Sequence, residues 1–245
     1  VLKTMKSWLL FAVCMIGVWQ IAAFALGNPI LLPSPWTVAE TMAAQAGQPK
    51  LYEALAATCI RALTGAVLAF GVGFACAVLS WFFKTAAWFF KNLCVLMQSV
   101  PNVAYIILML FWMSRDQAVV MVCFLLLFGV VYQSFFRAIE AIASRAKDII
   151  FLYPQPKIRI VRQVFLPELR PVFLSCASNC ISMSFKAAVM AEILASAALG
   201  IGRNMQQARQ NLDAASLIGW VIWLVLTVFL FDWLAGRILK WLFDH

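Results

Sequence analysis

Six apolar runs, each near or above the length a helix needs to cross a bilayer, constrain this chain most. They cover residues 8–26, 54–82, 87–113, 117–138, 171–197 and 214–239. About twenty apolar residues in a helix span the hydrocarbon core. Lipid cannot satisfy exposed backbone groups, and none of the runs alternates as a barrel strand would, so only helices fit. Composition agrees: of 245 residues, 64% are hydrophobic and 12% charged, against about 45–50% and about 25% in an ordinary soluble domain. Such an apolar surplus cannot all be hidden inside one water-soluble core. The expectation is an all-α polytopic membrane bundle of about six spans, a single domain over residues 1–245, with a first span at 8–26 and a core bundle at 54–239.

The net charge of +9 does not point to nucleic acid, because the cations sit in the gaps between the runs. Lys3, Lys6, Lys84, Lys91, Arg237 and Lys240 fall on one side, with seven more in a long gap after residue 136. Only Lys50, Arg115, Arg203 and Arg209 fall on the other. The richer side is the cytoplasmic one, so both termini are expected there, in a multi-pass plasma-membrane protein. Anionic lipid headgroups are a further attractor for these charges. Lys3 and Lys6 before an apolar run, with Ala23-Phe24-Ala25 near its end, also resemble a signal peptide, but the run has the length of a first span. The outer segment 27–50 reads as an extended, proline-rich entry and a short surface helix from Trp36. The outer segment 200–213 reads as a short polar helix over Arg203 to Asn211. Seven cysteines, all in apolar runs, make no disulfide framework. Cys176 and Cys180 share a helix face, but with no His or further Cys nearby they read as core residues, not as a metal pair.

The gap from Arg137 to Pro171 is the polar exception. It carries Arg137, Arg145, Lys147, Lys157, Arg159, Arg162 and Arg170. Pro154 and Pro156 split it into two pieces, since proline removes a donor and disfavours helix before it. Each piece has apolar residues at helical spacing: Ile139, Ile142 and Ala146, then Ile158, Val161, Val164 and Phe165. A bent amphipathic cytoplasmic element of this kind suits docking into a groove of a soluble partner. A solvated connector obeying the charge rule is the plainer alternative.

This segment, at about residues 140–170, resembles the cytoplasmic coupling motif of permease subunits of bacterial ABC importers, roughly Glu-Ala-Ala, a glycine, then Ile/Val-x-Leu-Pro. Val164-Phe165-Leu166-Pro167 matches the ending. The acidic position falls on Asp148, followed by Ile149 and Ile150, and the glycine position is taken by Pro154. Leu31-Leu32-Pro33-Ser34-Pro35, Thr58 with Arg61 and Gly65, Ala191-Glu192-Ile193 with Leu199-Gly200-Ile201-Gly202, and Leu212-Asp213 follow in the order seen in the sulfonate, taurine and nitrate branch. The resemblance spans roughly residues 8 to 240. It implies a type I importer permease fold in a bacterial inner membrane, with two permease subunits, as homo- or heterodimer, forming the path. It implies separate ATPase subunits that hold ATP and Mg and bind the element through Asp148, Ile149, Ile150, Pro154, Ile158, Val161, Leu166 and Pro167. It implies an extracytoplasmic substrate-binding protein and a small organic or inorganic anion, or a vitamin precursor, as solute.

Inside the membrane, Gly65, Ala69, Gly73 and Ala77 recur every four residues, a spacing that lets helix backbones approach closely, within the bundle or against a second subunit. Arg61 lies one turn away and either snorkels to the interface or pairs internally. On the fifth span Ser175, Asn179, Ser182 and Lys186 share one helical face. A lysine so deep faces a water-filled path or a partner. Glu192 is a path candidate and a possible partner, although its spacing puts it on another face. Gln98-Ser99-Val100-Pro101-Asn102 interrupts the third span with a polar kink. The chain has no G-x-x-x-x-G-K-[S/T] run, and its only histidine is His245. It therefore carries no Walker-type nucleotide site, no cofactor is expected in it, and a Ser-His enzyme is disfavoured. Competing readings are a secondary transporter or channel, disfavoured by the lack of an internal repeat, and an intramembrane enzyme.

Overall fold

The computed structural model describes residues 2–145 and 156–244; among them every regular element is helical. In chain order these are α1 (Leu2–Leu26), α2 (Pro35–Ala46), α3 (Pro49–Phe82), α4 (Lys84–Ser99), α5 (Asn102–Trp112) and α6 (Arg115–Arg145). Then come α7 (Lys157–Ile160), a π-helical turn (Val161–Phe165), α8 (Leu166–Glu168), α9 (Arg170–Ala195), α10 (Ile201–Gln210) and α11 (Ala214–Asp244).

The six expected spans resolve into three kinds. α3, α6, α9 and α11 are each long and apolar enough to cross a membrane, and α4 with α5 forms a fifth candidate bent by 99°. The first expected span, 8–26, lies in α1, whose apolar stretch Val13–Leu26 is shorter than a full crossing among the described residues. The bend has a plain cause. Pro101 cannot donate to the preceding turn, and Val100 before it is extended, with ψ 128°.

α3 and α6 form the most extensive pairing, and the small-residue stripe is the reason. A side-chain carbon added at Gly65 would lie 2.5 Å from Cys123 Cβ, and one at Gly73 would lie 2.8 Å from a Val131 methyl. Ala69 and Ala77 are fully buried between them. The stripe therefore seats α3 on α6 within one chain. Phe70 and Phe74 fill the flank of this seam, packing on Phe135 and Phe173 with ring centroids 4.7–5.6 Å apart. α9 packs on α6 and α3, and α11 covers α9.

α2 is the short surface helix expected from Trp36, and it begins at Pro35. Ser34 accepts from Thr37 N at 3.2 Å as its cap, and Pro35 pre-sets its first turn. α2 and α10 both lie against α11, and α1 packs chiefly on α2, where Trp19 Nε1 donates to Pro33 O at 3.0 Å.

The polar insert differs from its expected form. Its first piece is not a separate amphipathic helix, because α6 runs without a break to Arg145. Ile139 and Ile142 are buried in the core cluster of α3 and α6. In the second piece Ile160, Phe165 and Leu169 are buried, and Phe165 stacks edge-on against Trp81 at 4.9 Å. Val161 and Val164 also pack against that core. This piece is thus pinned to the end of the bundle by most of its apolar residues.

Candidate functional site

Ser175, Asn179, Ser182 and Lys186 all stand on α9, and the structure separates their surroundings. Ser175 and Asn179 are exposed, Ser182 is half-buried, and the Ser175 hydroxyl donates to Val172 O at 3.2 Å. Lys186 lines a cavity of about 420 Å³, shared with the α4–α5 break and α6. Gln98 and Asn102 line it from the two sides of the break. Leu125, Leu126, Gly129 and Val130 line it from α6, and Met183, Ala187 and Met190 from α9. The sequence names the lysine and the kink as two features; the fold makes them one site. Among the described residues the Lys186 ammonium has no salt-bridge or hydrogen-bond partner. Lys186 is exposed on α9, so water, an anion or a facing group can reach and compensate the charge.

Glu192 does not face this cavity and is not the partner of Lys186. Its side chain is 0% exposed, and its carboxylate is fully engaged elsewhere. Arg61 Nη1 donates to it at 2.6 Å, the Thr58 hydroxyl at 2.9 Å and Gly202 N at 2.9 Å. Arg61 also donates to Leu199 O at 2.8 Å and pairs with Asp116 at 2.8 Å, and Ile201 N donates back to the Thr58 hydroxyl at 2.9 Å. The two ion pairs of Arg61, with the hydrogen bonds around them, therefore tie α3, α9, the start of α6 and the start of α10 together. Gly200, at φ +138°, and Gly202 make room for it, since a side-chain carbon at either would strike the Glu192 carboxyl or its Cβ. Glu192 is a structural residue of the bundle, and Arg61 pairs internally.

A larger groove, of about 870 Å³, lies along α3 and α6 beside Arg61. It offers a solute little: Arg61 and Asp116 hold each other, Thr64 donates to Ile60 O at 2.6 Å, and Gln117 accepts from Ser114. The Lys186 cavity alone of the two presents an uncommitted charge.

At the opposite end, Asp148, Ile149, Ile150 and Pro154 lie outside the described residues. Of the remaining coupling candidates, Ile158 is 74% exposed, Leu166 and Pro167 are exposed, and Val161 is turned to the core. Ile158, Arg162 and Leu166, four residues apart, form an uncovered face on this anchored segment. Glu168 fastens it to α6 through Arg145 at 3.5 Å. All seven cysteines are free, and Cys176 and Cys180 lie Sγ to Sγ at 4.0 Å. No cluster suited to a metal ion occurs among the described residues.

The family model described as binding-protein-dependent transport system inner membrane component matches residues 54–244. No curated protein matches the chain.

Proposed function

The chain belongs to the family of binding-protein-dependent transport system inner membrane components, and from that premise we propose that it is the permease subunit whose α9 lines the solute path of an ATP-driven importer. The Lys186 ammonium, without a partner among the described residues and lining a cavity at the bend between α4 and α5, carries this reading. The solute is a small organic or inorganic anion, such as a sulfonate, taurine or nitrate. Lys186 supplies the charge, Gln98 and Asn102 supply amides that orient an oxyanion, and the methionines supply adaptable apolar walls. A second permease subunit closes the open side of the cavity.

Separate ATPase subunits, which hold the ATP and Mg, dock on the face of Ile158, Arg162 and Leu166. That segment is seated on the ends of α3 and α6 by Ile160, Phe165 and Leu169. Movement of the docked ATPases is thereby passed to the helices that wall the cavity. A binding protein delivers solute at the other end, where α2, α10 and α11 surround a polar cavity of about 290 Å³ with Thr41, Gln48, Asn204, Gln207 and Asn211. The excess of loop cations on the ATPase side supports a cytoplasmic position for that end and both termini.

Uptake of taurine, an alkanesulfonate and nitrate into proteoliposomes holding the full transporter tests the path. Lys186→Met should lower uptake at least about tenfold, with the complex assembled at normal level, and Lys186→Arg should retain more. Because Glu192 is already held by Arg61, adding Glu192→Gln should restore nothing. Unchanged uptake by Lys186→Met, or rescue by the second change, would remove Lys186 from the path.

A further inference from the structure

A second cavity, of about 340 Å³, opens on the Lys91 side of the α4–α5 break. Lys91, Gln133, Arg137 and Glu140 line it, and Gln98 lines both this cavity and that of Lys186. We infer that this cavity is a second anion station on the cytoplasmic side, and that the Gln98 side chain is the divider a solute passes between the two.

Three observations support the inference, which rests on Lys186 serving the path. First, the chemistry suits an anion. Lys91 lies 3.3 Å from Glu140 and 4.5 Å from the centre of the Phe136 ring, so its ammonium is held at the wall. Both partners of that ion pair are about half exposed, and pairs of this kind contribute little and exchange readily. An incoming anion can therefore take the place of Glu140. Among the described residues Arg137 makes one long contact, 3.5 Å to Gln133 Oε1, which leaves most of its donors free there. Second, Gln98 is uncommitted: its amide has no side-chain hydrogen-bond partner among the described residues. Third, it has room to move. Gly129 stands opposite, and even a methyl placed there would only touch the Gln98 amide, at 3.6 Å. Seen along α6, the cations descend from Lys186, level with Leu125 and Leu126, to Lys91 and Arg137, level with Phe136 and Glu140. A solute released by Lys186 thus meets a second cationic site before the cytoplasm, instead of an apolar barrier.

The test reads local potential and access without a known solute. The full chain, freed of its seven cysteines, carries a single cysteine in inside-out membrane vesicles: Val95→Cys in the second cavity or Met183→Cys in the first. Each reacts with the anionic sulfonatoethyl and the cationic trimethylammonioethyl methanethiosulfonates, and the ratio of the two rates is measured. At Val95→Cys, Lys91→Gln or Arg137→Gln should lower the anion-to-cation ratio about fivefold each, the effect of a unit charge roughly 8 Å away in water. Glu140→Gln should raise it. Gln98→Trp should slow the anionic reagent at Met183→Cys at least about tenfold while its rate at Val95→Cys stays the same, which also shows that the chain is folded. Gln98→Ala should speed it. A Val95→Cys ratio indifferent to both cations overturns the station, and a Met183→Cys rate indifferent to both Gln98 changes, or absent from this side, overturns the link. If instead Lys186→Met leaves the ratio at Met183→Cys unmoved while Val95→Cys responds as stated, the second station stands and the role given to Lys186 falls.

Discussion

Arg61→Met should be among the most damaging single changes in this chain although it touches no solute. The substitution keeps an unbranched apolar stem and deletes the guanidinium. What remains is a carboxylate at Glu192 that is 0% exposed, with only the Thr58 hydroxyl and Gly202 N–H to compensate it, and a Leu199 carbonyl without its 2.8 Å donor. Removing one partner of a buried pair costs about 3–5 kcal/mol, because the other charge is left uncompensated. The second contact of Arg61, to Asp116, adds little, since that carboxylate is 65% exposed and water can replace the arginine. For a chain of this length about 1 kcal/mol corresponds to roughly 2–4 °C, so the midpoint of heat inactivation should fall by roughly 6–20 °C. The assay is heating of the detergent-solubilised protein, followed by size-exclusion measurement of what stays monodisperse. Arg61→Met with Glu192→Met removes the stranded charge and should be more stable than Arg61→Met alone. A midpoint within about 2 °C of the parent for Arg61→Met, or a double variant that loses the sum of both singles, would refute the claim that this pair latches its end of the bundle.

Two further pairs of variants separate packing from other roles. Gly73→Ala drives a side-chain carbon to 2.8 Å from Val131 and should lower the same heat midpoint, whereas Gly71→Ala on the same helix meets nothing within 4 Å and should not; equal behaviour of the two would deny that the stripe seats α3 on α6. Ile158→Asp alters a side chain that is 74% exposed and should release the ATPase from the purified complex with the heat midpoint kept, while Phe165→Ala should lower that midpoint by about 3–5 kcal/mol worth of stability, as a cavity beside Trp81 requires. Retention of the ATPase by Ile158→Asp would argue against docking on this face.

Helical class, the two short helices at 35–46 and 201–210 and the proline break were legible because each rests on local physics: apolar length, a serine cap before a proline, a missing donor. The partners of charged groups were not. Arg61 and Glu192 are 131 residues apart, and nothing in their local sequence says that they meet. The weak hint was the pair of glycines at 200 and 202, whose close approach to the Glu192 side chain is what the missing side chains permit. Helical spacing also misassigned Ile139, Ile142 and Phe165 to an exposed amphipathic element. Periodicity reports that a helix has an apolar face; it does not report whether that face meets the chain's own bundle or a partner. Lys186 was visible as a charge in an apolar run, but its companions were chosen from its own helix. The cavity selects Gln98 and Asn102 from another span, because side chains that converge on a space between helices need not share one.

The two charge systems in the membrane part then explain each other. The chain gives Glu192 three donors and Arg61 three acceptors, and seats them where two glycines close over them. Stability alone therefore accounts for that set. It does not account for Lys186, which is exposed on α9 and lines a cavity with no partner among the described residues. A lysine left uncommitted in this way suits a ligand that arrives only at times. An anion in passage is such a ligand, and a facing second subunit can enclose it without neutralising the lysine. The latch at Glu192 serves the same end: it ties α9 to α3, so that Lys186, six residues away on the same helix, is held beside the break between α4 and α5.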